Sequence, residues 1–82
     1  MRTQVTEMVG GEPYHYYPLG QYVVRAIGVC GERPTFKYTR IEITGVLERL
    51  TAGETIDDIV QGFQGRVSRE AIEEAAHIMT TH

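Results

Sequence analysis

The chain has 82 residues, 41% of them hydrophobic and 23% charged, and a formal net charge of −3. This length allows one domain with a small core, and this hydrophobic share excludes a disordered polar tail. No segment approaches the roughly 20 apolar residues that cross a bilayer, and the polar start lacks the apolar core of a signal peptide. We therefore expect a cytoplasmic protein without membrane contact. A second copy would add to the small core, which favours a homodimer.

The charges are distributed unevenly along the chain. Residues 25–40 carry four basic side chains against one acid, Glu32, whereas residues 41–82 carry three arginines against eight acids. The four basic residues are Arg25, Arg33, Lys37 and Arg40. We expect any polyanion or acidic partner to meet this basic region. The alternative is a solvated strand face in which Arg40 pairs with a nearby acid, such as Glu42 or Glu48.

The N-terminal part of the chain divides into two segments. Residues 1–12 have no hydrophobic period and include two adjacent glycines, which predicts a flexible tail before a single domain over residues 13–82. The tyrosine-rich run from Tyr14 to Tyr17 is closed by Pro18 and predicts an extended segment that lies on an apolar surface. That surface belongs either to the same domain or to a second subunit.

The middle of the chain predicts a small antiparallel sheet. Residues 22–27 are mainly β-branched and aromatic and are bounded by glycines, which is typical of a strand. Residues 35–38 and 39–43 continue as extended structure after a loop rich in glycine and proline. In the last segment Ile41 and Ile43 fall on one face, so we expect all three segments to pair.

A helical period begins at Thr44. This residue is placed to cap a helix that carries Val46, Leu47 and Leu50 inward. Gly53 is expected to end the helix, because glycine adopts the left-handed conformation at low cost.

Two more helices are predicted, each with its own cap. Thr55 and Asp58 have the spacing of a capping box, and the apolar stripe of this second helix is Ile56, Ile59, Val60 and Phe63. Ser68 is placed to cap the third helix, in which Val67 and Ile72 have the spacing of a hydrophobic staple. The predicted buried face of the third helix is Ala71, Ile72, Ala75, Ala76 and Met79.

These elements predict an α+β fold: a small antiparallel β-sheet followed by a three-helix, helix-turn-helix-like cluster. The short glycine-marked turns require the helices to pack around one another. Gly62 is the expected end of the second helix. The segment from Gly62 to Val67 is longer than the tight turn of the classical motif.

No catalytic constellation is visible, so we expect a protein that is not an enzyme and holds no cofactor or metal. The single cysteine, Cys30, has no evident partner base and is interpreted as a half-buried hydrophobe. His77 and His82 are five residues apart, which does not present two imidazoles to one ion. The acids at helix starts and on helix outsides are interpreted as solubilising and dipole-complementing groups: Asp57, Asp58, Glu70, Glu73 and Glu74.

The third helix is poorly suited to reading DNA. In a helix-turn-helix protein its first turns face the major groove, yet the exposed residues here are Arg69, Glu70, Glu73 and Glu74. Carboxylates facing phosphates lower affinity. If the chain binds DNA, the basic residues of the sheet edge offer the better surface.

The run Gly28-Val29-Cys30-Gly31-Glu32-Arg33-Pro34-Thr35-Phe36-Lys37-Tyr38-Thr39-Arg40-Ile41-Glu42-Ile43, followed by the helix junction from Leu50 to Thr55, resembles the bacterial family called domain of unknown function 433. The likeness covers about residues 22–79. The family's pattern places a glycine and a proline before an extended piece that ends Gly-Thr-Arg-Ile, and three helices follow. The matching motif positions are Gly31, Pro34, Thr39, Arg40 and Ile41.

This resemblance implies an antitoxin-like protein, similar to the antitoxins that partner nucleases of the PIN type. The charge distribution and this resemblance together give the partner- or DNA-binding residues that we expect: Arg25, Arg33, Lys37, Tyr38, Arg40 and Arg69. Tyr38 stands where the family pattern has glycine, so we expect a backbone that need not be left-handed and an aromatic ring added to the basic face. The alternatives are a stand-alone DNA-binding regulator and a structural homodimer.

Overall fold

The computed structural model describes residues 3–80, with side chains to residue 79. Four strands form one antiparallel sheet in the order β1-β2-β3-β4: β1 (Val5–Val9), β2 (Glu12–Pro18), β3 (Val23–Ala26) and β4 (Thr35–Phe36). Three helices follow: α1 (Ile43–Thr51), α2 (Ile56–Gly62) and α3 (Arg69–Thr80). The predicted α+β class is confirmed. None of the helices within residues 3–80 is long and apolar enough to cross a membrane.

The N-terminal segment differs from the predicted tail, because Val5–Val9 is a strand paired with β2. Gly10 and Gly11 form the two-residue turn between these strands with φ angles of 59° and 84°. Positive φ at both central residues is the signature of a type I′ turn, whose twist matches that of the flanking strands. Residues 1 and 2, part of the predicted tail, and residues 81 and 82, with the second of the two histidines, lie outside the described residues.

The third predicted strand segment, residues 39–43, is not a strand. Glu42 makes only an isolated bridge to Thr35, and α1 already begins at Ile43. The amide of Ile43 donates to the carbonyl of Pro34 at 3.1 Å, and its side chain is fully buried. Thr44 is therefore inside α1 and Glu42 is the N-cap residue, which corrects the predicted start of this helix.

The other predicted helix boundaries are confirmed by their hydrogen bonds. The hydroxyl oxygen of Thr55 accepts from the amide of Asp58 at 3.1 Å, and that of Ser68 accepts from the amide of Ala71 at 3.1 Å. Gly53 follows α1 with a φ of 102°, the conformation that favours glycine there.

Two apolar clusters lie on the two faces of the sheet. The larger one packs the three helices, which contact one another pairwise, against Val23 and Phe36. The smaller one covers the opposite face with Tyr16, Val24 and Ala26. The main buried residues of the helices are Ile43, Val46, Ile59, Val67, Ala71, Ile72 and Ala75.

The predicted buried face of α3 is buried at Ala71, Ile72 and Ala75 and half-buried at Ala76, and Met79 departs from it most. It is 46% exposed, because the fully buried stripe of this helix ends one turn earlier at Ala75. Its side chain lines an open groove with Leu47 and Thr51 of α1.

Candidate functional site

The loop between β3 and α1 carries most of the sequence-predicted site residues. It opens with a short 3₁₀ turn at Cys30–Glu32, in which Gly31 has a φ of 62°. Thr39 folds the end of the loop, since its hydroxyl donates to the carbonyl of Phe36 at 2.7 Å and accepts from the amide of Ile41 at 3.1 Å. These contacts hold the backbone, and they leave the neighbouring side chain of Arg40 exposed.

The motif positions therefore differ in what they do. Gly31 supplies a positive φ, Pro34 supplies the carbonyl that binds the start of α1, and Thr39 supplies the hydroxyl bridge. Ile41 packs against the main core. The guanidinium of Arg40 makes no hydrogen bond or salt bridge within the described part of the chain, so this position is the one available to an outside partner.

Tyr38 corrects the expectation for its backbone. Its φ is 67°, which is left-handed although the residue is not glycine. Its hydroxyl donates to Glu7 Oε1 at 2.5 Å, and its amide donates to the hydroxyl of Tyr14 at 3.0 Å. Bulky residues rarely adopt this conformation, and strained positions of this kind cluster at functional sites. The ring is held in place and is still 52% exposed.

Glu7 of β1 is the centre of a cluster that joins the N-terminal hairpin to this loop. It accepts hydrogen bonds from the hydroxyls of Tyr16 and Tyr38. Lys37 Nζ lies 3.4 Å from Glu7 Oε2 and 5.0 Å from the centroid of each of the two tyrosine rings. The bond from Tyr16, and after it that from Tyr38, lowers the pKa of Glu7. Lys37 is thus engaged inside the molecule.

Two further predicted site residues are also engaged. Arg33 binds both carboxylate oxygens of Glu42, at 2.7 and 3.2 Å, and this pairing lowers the pKa of Glu42. Arg69 pairs with Asp57 and lies 3.8 Å from Glu73. Each of these salt bridges holds the arginine side chain in place. The internal carboxylate also competes with any outside anion for the guanidinium group.

Three arginines form no salt bridge within residues 3–80: Arg25, Arg40 and Arg66. The predicted pairing of Arg40 with Glu42 or Glu48 is absent from the described residues. Glu42 instead forms a salt bridge with Arg33. Arg25 lies opposite Tyr17 in β3 and points to the sheet face away from Tyr16 and Val24.

Arg40 and Arg66 line one cleft of about 330 Å³, which we call the arginine cleft. Its lining residues are Tyr14, Val29, Tyr38, Thr39, Arg40 and Arg66, and none of them is acidic. The cleft lies between the loop after β4 and the connection from α2 to α3. Sequence reasoning missed Arg66, since only the packing of the helices against the sheet brings it next to Arg40. It also missed Tyr14 and Val29 as parts of this site.

The exposed part of α3 is acidic, as predicted, with Glu70 and Glu73 on its surface. Glu74 differs from the expectation of a solubilising surface group. Its carboxylate accepts from the amides of Gln21, Tyr22 and Val23 at 2.9, 2.7 and 3.0 Å. In the part of the chain that the structure describes, no group of three or more His, Cys, Asp or Glu side chains is arranged to hold a metal ion.

Comparison with known proteins adds one match. The family model described as Protein of unknown function (DUF433) matches residues 23–77, more than half of the chain, and includes every cleft residue except Tyr14. No curated protein and no solved structure matches.

Proposed function

Because this chain belongs to the DUF433 family, we propose that it is an antitoxin-like binding protein without catalytic activity, which inhibits a nuclease of the PIN type. The observation that carries the proposal is the pair of unpaired guanidinium groups, Arg40 and Arg66, in a cleft lined by no acid. The nuclease identity comes from the resemblance of the loop, and the geometry supports the acidic character of the partner.

The mechanism follows from the chemistry of the two proteins. PIN-type nucleases hold metal with clustered carboxylates, and a guanidinium binds two carboxylate oxygens at once. Arg40, delivered into such a cluster, would compete with the metal and exclude RNA. Arg66 would bind a second acid at the rim of the same contact.

The remaining basic residues have different roles in this proposal. Arg33 and Lys37 are paired with Glu42 and Glu7, so they hold the loop in position and contribute little direct contact. Arg25 is unpaired and exposed, but it does not line the arginine cleft. It therefore serves as an internal comparison, since its removal changes the net charge by the same amount as the removal of Arg40.

The experiment is size-exclusion chromatography with light scattering, on the protein alone and with the product of the adjacent gene. We expect a stable complex, and a homodimer for the protein alone, because a second copy would enlarge a small core. Arg40→Ala should abolish both complex formation and inhibition of RNA cleavage, whereas Arg25→Ala should retain both. Full inhibition by the Arg40→Ala, Arg66→Ala double variant would overturn the mechanism.

DNA binding by a stand-alone regulator is the second candidate, and the unpaired arginines Arg25 and Arg40 favour it. The surface would lie away from α3, because α3 exposes Glu70 and Glu73 and its Arg69 is neutralised by Asp57. Promoter fragments titrated at two salt concentrations test this candidate. Phosphate contacts make affinity fall steeply with salt, and binding that does not change with salt would exclude it.

A further inference from the structure

We propose that the arginine cleft is a binding site for a nucleoside 5′-monophosphate, with the phosphate between Arg40 and Arg66 and the base against the ring of Tyr38. This inference goes beyond the proposed inhibition and does not depend on it. Because both use Arg40, a bound nucleotide and an acidic protein partner would exclude each other.

The phosphate half of the site is formed by the two arginines. Both side chains are exposed, and neither forms a salt bridge with any residue that the structure describes. A planar guanidinium matches two phosphate oxygens, and two of them on one anion neutralise a dianion. Glu7, the nearby acid, does not line the cleft and is paired with Lys37.

The base half of the site is formed by aromatic and apolar side chains. Tyr38 and Tyr14 have ring centroids 5.4 Å apart with an interplanar angle of 40°, and Val29 lines the same space. Bases stack on exposed aromatic rings without strong sequence preference. The ring of Tyr38 is exposed. Its hydroxyl donates a hydrogen bond to Glu7, and the backbone N–H of Tyr38 donates one to the hydroxyl of Tyr14, so both the ring and the backbone that carries it are held in place. A base would therefore meet a ring that is already ordered.

The size of the cleft agrees with this ligand. Small-molecule sites occupy about 300–1,000 Å³ and combine apolar walls with a few convergent polar groups. The arginine cleft, at about 330 Å³, lies at the lower end of that range, which suits one nucleotide. The open groove beside Met79, between α1 and α3, has no basic residue in its lining to bind a phosphate.

The test is a titration of the ¹⁵N-labelled full chain, followed by the amide signals of the cleft residues. The probes are adenosine 5′-monophosphate, adenosine and inorganic phosphate. We expect saturable binding of the nucleotide with a Kd on the order of 1 mM or below. Adenosine and phosphate should each bind at least about tenfold more weakly, because each offers only half of the contacts. Equal affinity for nucleotide and phosphate would overturn the role of the aromatic wall.

Matched variants make the test specific. Arg66→Ala should weaken nucleotide binding about tenfold, whereas Arg25→Ala, an equal change of charge outside the cleft, should leave it unchanged. Tyr38→Gly fits the left-handed backbone and removes the ring, so its affinity for the nucleotide should fall to that for phosphate, while Tyr38→Phe should keep the stacking. No saturable binding, or equal losses in Arg25→Ala and Arg66→Ala, would overturn the site.

Discussion

The carboxylate of Glu74, on α3, lies directly over Gly20, in the turn between β2 and β3. A β-carbon on Gly20 would stand 2.5 Å from Glu74 Oε1, which is well inside van der Waals contact. The same carboxylate accepts hydrogen bonds from the amides of Gln21 and Tyr22, which precede β3, and of Val23, the first residue of β3. One side chain therefore ties the helical half of the molecule to the sheet, and the absence of a side chain at Gly20 makes the approach possible.

Removing this carboxylate is expected to destabilise the fold. Glu74→Ala leaves three backbone amides without their acceptor, and the free energy of unfolding should fall by about 2 kcal/mol. Glu48→Ala is the control, because Glu48 is an exposed helical acid and its loss should change the free energy by less than about 0.5 kcal/mol. Urea denaturation followed by circular dichroism measures both. Similar stabilities of the two variants would contradict a structural role for Glu74.

Acid should loosen the contact between the N-terminal hairpin and the loop. The hydrogen bonds from Tyr16 and then Tyr38 lower the pKa of Glu7. A carboxyl whose folded-state pKa is lowered stabilises the fold above its unfolded-state pKa, and this stabilisation is lost as the pH falls through the folded-state value. The urea midpoint should therefore fall between about pH 6 and about pH 2, and it should fall less in Glu7→Gln, which cannot titrate at this position.

The acid sensitivity should be reduced in Glu7→Gln and not abolished. The pKa of Glu42 is lowered by Arg33 and that of Glu54 by Arg49, and both carboxyls remain in the variant. The same drop in midpoint for wild type and Glu7→Gln would show that Glu7 has an unperturbed pKa in the folded protein.

The left-handed backbone at Tyr38 should reverse the usual order of stability between an alanine and a glycine variant. Glycine normally weakens regular structure relative to alanine, but at a φ of 67° the β-carbon of alanine is strained. Tyr38→Ala should therefore be less stable than Tyr38→Gly by about 1 kcal/mol. Both variants lose the same tyrosine contacts, so their difference isolates the backbone. Denaturant unfolding measures it, and a more stable alanine variant would argue against the left-handed conformation.

The two ends of the apolar stripe of α3 should respond differently to truncation. Ile72 is fully buried, and Ile72→Ala should reduce the free energy of unfolding by about 3 kcal/mol because it leaves a cavity. Met79 is largely outside the core, so Met79→Ala should cost less than about 1 kcal/mol. Thermal unfolding of the two variants gives the comparison. If Met79→Ala reduced the free energy of unfolding of the monomer as much as Ile72→Ala does, Met79 would have to be part of the core.

The sequence predicted the helical half well because its signals are local. The caps at Thr55 and Ser68 bind amides only three residues away, so neighbouring residue types determine them. The prediction of a flexible tail was wrong at strand β1. The residues between its two valines do not alternate clearly between polar and apolar, and the adjacent glycines fit either a flexible segment or a tight turn. The turn interpretation prevails because both glycines adopt positive φ and the strand finds a partner in β2.

The candidate site was predicted only in part. Arg40 was expected on a strand over residues 39–43, whereas it lies exposed on a loop. Its charge alone did not distinguish it from Arg33 and Lys37, which bind acids within the molecule. Partner choice among such side chains is decided by packing. No sequence pattern indicated that Arg66 belongs to the site, because the residues next to it in the sequence are not the ones next to it in the cleft.

The sequence by itself determined the α+β class, the order of the three helices after the sheet and the basic character of the loop, because these depend on local propensity, periodicity and composition. The tertiary structure alone decided which cations remain free, where Arg66 lies, and why Tyr38 is held in a left-handed turn. The contacts responsible join residues far apart in the chain: 24 residues from Tyr14 to Tyr38, 31 from Glu7 to Tyr38 and 53 from Gln21 to Glu74. Such pairs form only after the sheet and helices have packed, and no local pattern encodes them.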